Sequence, residues 1–432
     1  MSRILWIAVA DARGHLMRAR RARRMLAPSV EVDVVTTSDA GVAFLAALGT
    51  PAHVLGRGYA LAFDAQQHLE RGRTQGRLLR YLARDAFGDV RRLRRSAEDY
   101  DLIVDDALHP ATLIASLLFD PLVVPIVHVF GTTLLEAVVE IGGGRRESLR
   151  SPGRKTEARA ASSRVPNARV GSVATAVPGS SGAPGADVGR IDAPIPSHAH
   201  QVLSRSQHGP RRSGAEVPSG LFARLLARAL RRAFARIEYA VDADPEGTRL
   251  RPLVEPPRRS REAVRRALGV GSDERLVVAY LNPHFADPRL AAALESTPGR
   301  LYAVGEGFAG RPGWVAYDAD LADKLAAADV VVSAPGVATL TAVKASGVAY
   351  VALRSRQPEQ RENLTRLGRD FEVVDVATPD ALPAAIERAR RAPPGEAVAT
   401  IAGDWRRTLH LLIDERNHRC LRALHWSSRP TT

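Results

Sequence analysis

A glycine turn that leads into a helix is the part of this sequence best suited to chemistry. The stretch DVVVSAPGVATLTAVKAS, residues 329–346, predicts a short strand, a turn at Pro335-Gly336 and a helix over 337–346. Such a turn presents backbone N–H groups and the positive end of the helix dipole, an arrangement that binds phosphate. The candidate ligand-binding residues here are Ser333, Gly336, Val337, Ala338 and Thr339.

The elements around this turn form a βαβ unit. Gly347 is a plausible C-cap for the helix, residues 348–353 form a second apolar run, and 357–363 is a polar stretch that we interpret as a loop. Because open parallel sheets bind ligands beyond the carboxyl ends of their strands, the turn is expected to face a ligand site.

A second set of candidate residues lies near the N-terminus. Residues 4–10 are an apolar strand, and the turn that follows carries His15, whose imidazole suits proton transfer near neutral pH. Residues 100–110 predict another strand, which ends in Asp105 and Asp106. A buried carboxylate could orient the imidazole and stabilise its protonated form. The alternative is that the two aspartates cap the next helix and that His15 is an ordinary loop histidine.

The 336–363 region resembles the donor-binding motif of the GT-B nucleotide-sugar glycosyltransferases. Gly336 is followed by the hydroxyl of Thr339, by a second glycine eleven residues on, and then by Glu359-Gln360 with Asn363 three residues later. The resemblance implies that Gly336 and Thr339 hold the diphosphate of a UDP- or dTDP-sugar. It also implies that Glu359 and Gln360 hold sugar hydroxyls.

The N-terminal turn is similar to the Gly-His turn that opens the first domain of the same family. The resemblance implies that His15, next to Gly14, takes the proton of the acceptor hydroxyl and that Asp106 orients it. It also makes Asn282 and His284 candidates on the donor side. The sequence departs from the family at Ala342, where a glutamate usually grips the ribose hydroxyls.

Composition narrows the possible classes of protein. With 432 residues the chain can form two domains, and the single cysteine, Cys420, excludes an internal disulfide and a cysteine-built metal site. We expect a cytoplasmic protein that needs no cofactor or metal besides its donor substrate. The net charge of +14 comes without a recognisable nucleic-acid-binding motif, so nucleic acid is an improbable partner.

The Arg-rich stretches 71–95 and 221–239 read as basic amphipathic helices. They could contact an anionic membrane or simply pack on the core.

The middle of the chain lacks periodic patterning. Residues 141–220 are rich in Gly, Ser, Pro, Ala and Arg, and they contain twelve Lys or Arg against five Asp or Glu, a difference of +7. Only 168–177 could be a strand. Such a composition buries too little apolar surface to offset the entropy of ordering. The segment is either a disordered insertion or the product of a shifted reading frame.

These observations predict an α/β protein of GT-B type, with two Rossmann-like doubly wound domains facing a cleft and a long irregular insertion in the first. The predicted parts are an acceptor-side domain over 1–250, a linker over 251–272, a donor-binding domain over 273–400, and a C-terminal helix and tail over 401–432. The predicted function is inverting transfer of a sugar to a small-molecule or lipid-linked acceptor. The alternatives are an inactive relative, a nucleotide-sugar epimerase, and a basic protein that binds membranes or nucleic acid.

Overall fold

The protein contains two parallel β-sheets, each with six strands. The computed structural model describes residues 1–56, 60–64, 70–106, 108–131, 221–241, 249–355, 357–367, 371–391 and 403–427. The predictions for 141–220, including the strand at 168–177, lie outside these residues. Every described strand pair is parallel.

The first sheet has the strand order β3-β2-β1-β4-β5-β6. Helices cover both of its faces, so its central strands are apolar along their length rather than alternating. Its strands are β1 (Ser2–Ala8), β2 (Val30–Thr36), β3 (His53–Val54), β4 (Leu102–Asp106), β5 (Ile126–Gly131) and β6 (Ala235–Tyr239). Its helices are α1 (Arg13–Leu26), α2 (Asp39–Ala47), α3 (Arg71–Arg84), α4 (Ala86–Ser96), α5 (Pro110–Leu118) and α6 (Leu221–Arg232).

The second sheet has the order β12-β11-β10-β7-β8-β9, which is the same winding with the strands renumbered. Its strands are β7 (Leu276–Leu281), β8 (Arg300–Gly305), β9 (Trp314–Val315), β10 (Val330–Ser333), β11 (Ala349–Arg354) and β12 (Glu372–Asp375). The helices of this half are α7 (Arg261–Ala267), α8 (Pro288–Glu295), α9 (Leu321–Ala327), α10 (Val337–Ser346), α11 (Pro358–Leu367) and α12 (Leu382–Arg391).

Each sheet has one point where the strand order reverses. In the first sheet this point lies between β1 and β4, and in the second it lies between β7 and β10. At this point the helices that follow the two neighbouring strands pack on opposite faces of the sheet. This leaves a crevice at the carboxyl ends of the two strands. Two doubly wound α/β halves of this kind confirm the predicted GT-B architecture.

The helix α13 (Gly403–Ser427) returns from the second half to the first. Its Trp405 is buried against Trp6 of β1 and Tyr239 of β6, with ring centroids 6.5 and 6.4 Å apart. The indole Nε1 donates to the carbonyl oxygen of Arg251 at 2.6 Å. The last described helix therefore completes the core of the first sheet.

Three predicted elements differ from the structure. The polar stretch 357–363 is not a loop but the first half of α11, which begins at a proline and has Glu359 in its first turn, both favourable at a helix start. The proposed helix over 221–239 ends at Arg232. Residues 235–239 instead form β6, in which alternate side chains are buried. The basic stretch 71–95 is likewise divided into α3 and α4 at Asp85.

The basic helices pack on the first sheet through their apolar sides. In α6 the residues Leu226, Ala229 and Leu230 are buried, and the helix lies against α5. This packing agrees with the core-facing interpretation of 221–232. Among the described residues, no helix combines the length and apolar character needed to span a bilayer. Peripheral contact with a membrane stays a prediction.

Candidate active site

A cavity of about 340 Å³ lies between the two halves of the molecule, where both strand-order reversals open. The loops after β1 and β4 line it from the first sheet, and those after β7 and β10 line it from the second. Parallel sheets bind ligands at these positions. The cavity brings together most of the residues that the sequence singled out: Gly14, His15, Asn282, Gly336, Val337, Ala338, Thr339, Glu359 and Gln360.

His15 and Asp106 form the pair that the sequence predicted. The His15 Nδ1 atom lies 2.9 Å from the Asp106 Oδ1 atom, and the carboxylate is fully buried. Burial alone would raise the pKa of Asp106, but Arg18 and His15 lower it below its ordinary value. An ionised Asp106 favours the tautomer in which Nδ1 carries the proton. The Nε2 atom then keeps a lone pair that can accept a proton.

Asp105 has a different role from Asp106, although the two are adjacent. Its carboxylate accepts from the backbone N–H of His109 at 3.0 Å and from Thr112 Oγ1 at 2.6 Å, and it lies 2.8 Å from His128 Nδ1. These groups are all buried beneath the start of α5. Successive side chains of a strand point to opposite faces, so Asp105 anchors the helix while Asp106 faces His15.

Arg18 is a member of this cluster that the sequence analysis missed. Its Nε donates to Asp106 Oδ2 at 2.7 Å, and its Nη2 lies 3.1 Å from His15 Nδ1. The guanidinium group lies over the ring of Tyr239, 4.4 Å from the centroid. Burial would lower the pKa of Arg18, but Asp106 raises it above the ordinary value, so Arg18 remains a cation.

The start of α10 faces the cavity from the second sheet. Gly336 is the N-cap, and the first intrahelical bond runs from Leu340 N to Gly336 O at 3.0 Å. The N–H groups of Val337, Ala338 and Thr339 precede this bond and have no acceptor within the helix. A Cβ atom built on Gly336 would meet nothing within 4 Å, so the approach to these groups is open. The helix start can therefore receive an anion.

The residues at the start of α11 complete the wall beside this anion site. Burial raises the pKa of Glu359 above its ordinary value, although His15, a hydrogen bond from Asn363 and Arg18 each lower it. The Asn363 Nδ2 atom also donates to Pro335 O at 2.9 Å, which ties α11 to the turn before α10. Asn363 is buried outside the cavity lining, so it positions neighbouring residues rather than contacting a ligand. The Gln360 Oε1 atom accepts from Ser355 Oγ at 2.8 Å.

Ser333 is the candidate residue that the structure places elsewhere. It is fully buried and does not line the cavity. Its hydroxyl donates to Ala334 O at 3.0 Å and lies 3.3 Å from the hydroxyl of Tyr350. Its hydroxyl lies against Tyr350 of β11 rather than in the cavity lining, and a role for Ser333 in ligand binding stays a prediction. Asn282 does line the cavity, where its Oδ1 accepts from the backbone N–H of His284 at 3.0 Å.

The wall nearest the first sheet is mainly apolar. It includes Leu61, Phe63, Leu108 and Pro110, none of which the sequence analysis proposed. Leu108 has φ 60°, a left-handed conformation that is uncommon for leucine, and such positions concentrate at ligand sites. This wall suits a ligand with an apolar face.

Two contacts join the halves beside the cavity. Arg13 makes a two-point ion pair with Glu306, with distances of 2.5 Å from Nε to Oε1 and 2.6 Å from Nη2 to Oε2. The His284 Nε2 atom lies 2.9 Å from Asp11 O, and its ring packs against that of Phe63 with the centroids 4.1 Å apart and the planes tilted by 38°. Burial lowers the pKa of His284, so the imidazole is neutral at physiological pH. These contacts hold the loop after β1 against the second sheet.

The residues that face the start of α10 offer few polar groups for a ribose. Ala342 lines the cavity with Leu321, Ala322 and Leu325, so this part of the wall is apolar.

In the described ranges, no group of three or more His, Cys, Asp or Glu side chains is arranged to hold a metal ion.

His109 at the cavity wall predicts a measurable pH dependence of stability. Burial lowers its pKa below 6.5, although Asp105 and Asp89 raise it, and its Nδ1 accepts from Ala111 N at 3.3 Å. Below about pH 6.5 the unfolded chain takes up the proton first, so the free energy of unfolding falls as the pH falls toward the lowered pKa. His109→Asn keeps the cap but removes the titration. Below about pH 6.5 we expect the free energy of unfolding of this variant to fall less steeply with decreasing pH than that of the wild type, by up to ~1.4 kcal/mol per pH unit.

Urea unfolding of both proteins at about pH 8 and about pH 5.5 measures this difference, because the remaining histidines contribute equally to the two slopes. Parallel pH dependences in the two proteins would contradict the assignment of a neutral, buried His109.

Comparison with known proteins gives structural likenesses only. A scan against protein-family models and a search of curated proteins found no match. The fold is similar to the glycosyltransferase SnogD from Streptomyces nogalater, at 15% identity over 90% of this chain and 94% of that chain, with a TM-score of 0.43.

Two further solved structures are similar, both with a TM-score of 0.48. SsfS6 from Streptomyces sp. SF2575, a glycosyltransferase complexed with thymidine diphosphate, is 15% identical over 97% of this chain and 96% of that chain. A UDP-glucosyltransferase from Polygonum tinctorium is 14% identical over 96% of this chain and 99% of that chain.

Proposed function

We propose that this chain is an inverting glycosyltransferase that moves a sugar from a nucleoside-diphosphate sugar to an acceptor hydroxyl. The observation that carries the proposal is the arrangement of two groups in one cavity. A His15–Asp106 pair with a lone pair on Nε2 lies on one side, and a helix start that can bind a diphosphate lies on the other. Glycosyl transfer needs a base for the acceptor and a stabilised leaving group for the donor.

The proposed reaction is a single displacement. The acceptor oxygen forms a bond to the anomeric carbon while His15 Nε2 takes its proton. The bond from that carbon to the β-phosphate oxygen breaks, and its electron pair stays on the departing diphosphate. The N–H groups of Val337, Ala338 and Thr339 stabilise this charge. Attack from the face opposite to the leaving group inverts the configuration at the anomeric carbon.

The binding roles follow the two walls of the cavity. Glu359 and Gln360 at the start of α11 would bind hydroxyls of the transferred sugar, next to the diphosphate site. The apolar wall of Leu61, Phe63 and Leu108 would hold the acceptor, which we propose is a small hydroxylated molecule or a lipid-linked one. The donor is a substrate, and the proposal requires no further cofactor.

Release of nucleotide tests the proposal. The protein is incubated with UDP- and dTDP-sugars and a panel of hydroxylated aromatic and lipid-linked acceptors, and the products are analysed by mass spectrometry and by NMR of the anomeric proton. Transfer with an inverted anomeric centre is expected. Retention of configuration would refute the single displacement. Micromolar nucleotide binding with no transfer to any acceptor would indicate a relative that has lost catalysis.

Epimerisation of a nucleotide sugar is a second candidate, because the cavity holds more acid and base groups than the sequence suggested. Burial raises the pKa of Asp11 and of Glu359 and lowers that of His284, and these three groups line the same cavity as His15. Groups whose pKa values are pushed apart can act as an acid and base pair. Deuterium incorporation into the sugar ring in D2O without acceptor would favour an epimerase over a transferase.

Substitution of the first helical residue isolates the backbone contribution to diphosphate binding. Val337→Pro removes one N–H from the start of α10, and proline is tolerated there because Gly336 is extended, with ψ 145°. The helices α5 and α8 of this protein already begin with proline. A hydrogen bond to a charged group contributes about 1.5–3 kcal/mol, so we expect the Kd for UDP or dTDP to rise about 10–100-fold.

Isothermal titration calorimetry measures this change. Val337→Ala is the matched control, because it shortens the side chain but keeps the N–H group, and its Kd should stay within about threefold of the wild type. Equal losses in the two variants would mean that the side chain, not the backbone donor, explains the effect.

A further inference from the structure

Asp106 is shared between an ionisable group, His15, and a cation, Arg18. One carboxylate oxygen faces His15 at 2.9 Å, and the other accepts from Arg18 at 2.7 Å. The side chains of Arg18 and Asp106 are 4% and 0% exposed, so water screens this ion pair little. The negative charge that would stabilise a protonated imidazole is therefore already balanced by a fixed cation.

The position of Arg18 bears on His15 directly as well. Its Nη2 lies 3.1 Å from the same Nδ1 atom that faces Asp106. When Nδ1 carries a proton, as the carboxylate requires, the guanidinium cannot donate to it, and the two N–H groups face each other. A cation at this distance disfavours a second positive charge on the ring. Arg18 thus opposes protonation of the imidazole while it orients the carboxylate.

The surrounding residues hold Arg18 in this place. Its guanidinium lies over the Tyr239 ring at 4.4 Å, and that ring packs against the backbone of Gly131 in the adjacent strand. A Cβ atom at Gly131 would come within 3.1 Å of the ring, so a glycine there leaves room for the stack. Among the described residues, the charged or titratable groups that act on His15 or on Arg18 include Asp106 on β4, Tyr239 on β6 and Glu359 on α11.

We propose that Arg18 is a positioning residue that keeps His15 neutral, and so able to accept a proton, by balancing the charge of Asp106 and facing the Nδ1–H group. The cation supplies permanently the positive charge that the pair would otherwise acquire from a proton. This inference rests on the proposed function for its catalytic meaning, since His15 is the base of that reaction. The electrostatic claim itself concerns the protein without substrates.

NMR titration of the His15 imidazole tests this claim in the substrate-free protein, labelled with ¹³C at histidine Cε1 and assigned with His15→Gln. In Arg18→Met the His15–Asp106 pair should take up its proton at a pH about one unit higher or more, a tenfold or greater rise in proton affinity. Arg18→Lys retains the charge, and its midpoint should remain near that of the wild type. The measured midpoint is assigned to the His15–Asp106 pair, because two strongly interacting groups titrate together rather than one by one.

Arg18→Gln is a second neutral variant, for the case in which Arg18→Met does not fold. Its amide can still donate to Asp106 Oδ2 but carries no charge. It should show the same upward change. A midpoint in either neutral variant that equals that of the wild type, or lies below it, overturns the inference. The NMR titration needs no substrate. If the wild type transfers no sugar, the proposed function is refuted, but the titration still tests the electrostatic role of Arg18. Where transfer is measurable, the acid limb of the kcat/KM profile should move with the NMR midpoint.

Discussion

Replacing His15 with alanine is expected to lower kcat for sugar transfer by about 10²–10⁴-fold, the usual contribution of a positioned general base. The dyad lies on the first sheet, whereas the diphosphate is expected to bind at the start of α10 on the second. The Kd for UDP or dTDP should therefore change less than about threefold. Stopped assays of product formation give kcat, and calorimetry gives the Kd on the same preparation.

His53→Ala is the matched control, because His53 is an exposed histidine on the edge strand β3. Its kcat should equal that of the wild type. If the kcat of the His15→Ala protein stays within a few-fold of the wild-type value, His15 is not the general base. Loss of nucleotide binding in the same variant would show instead that the histidine acts on the donor.

Replacing Trp405 with alanine is expected to lower the free energy of unfolding by about 3–5 kcal/mol, the range found for a large aromatic residue removed from a core. The side chain is 1% exposed, contacts Trp6 and Tyr239, and donates to Arg251 O. Its loss would leave a cavity and an unpaired carbonyl in the first sheet's core. Because Tyr239 also carries Arg18, the damage should extend to the His15 pair.

Chemical denaturation followed by circular dichroism measures the stability change. Leu421→Ala on the same helix is the control, since Leu421 is 58% exposed and its removal should change stability by less than about 0.5 kcal/mol. If the two substitutions had similar effects, α13 would not be part of the first core.

The sequence predicted the architecture well because local pattern and tertiary structure agree in this protein. The predicted helix over 337–346 is α10 with the same limits, and Gly347 is its C-cap with φ 67°. The predicted apolar strand over 4–10 is found as β1, which spans Ser2–Ala8. Apolar strands covered on both faces give continuous hydrophobic runs, and glycine punctuates the helix ends, so these elements are visible without a structure.

The site was only partly visible from the sequence. His15 and Asp106 could be paired because each follows a strand of one sheet. Arg18 could not be recognised, because the helix α1 contains six arginines, three of them buried, and only tertiary packing shows that Arg18 is the one that meets Asp106. Leu61 and Phe63 come from a segment with no regular pattern. The buried position of Ser333 was not visible either, because the face of the sheet that a strand's last side chain takes depends on the layers around the strand.

The return of α13 to the first sheet has a consequence for how the protein is made. The core that contains Ile4 and Trp6 of β1 also contains Trp405, Leu409, Leu412 and Ile413. At ~5–20 residues per second, the ribosome needs roughly 20–80 s to reach Trp405 after it has made β1. The half of the protein that is translated first therefore completes its packing last, and its apolar surface must be kept from other nascent chains until the final helix emerges.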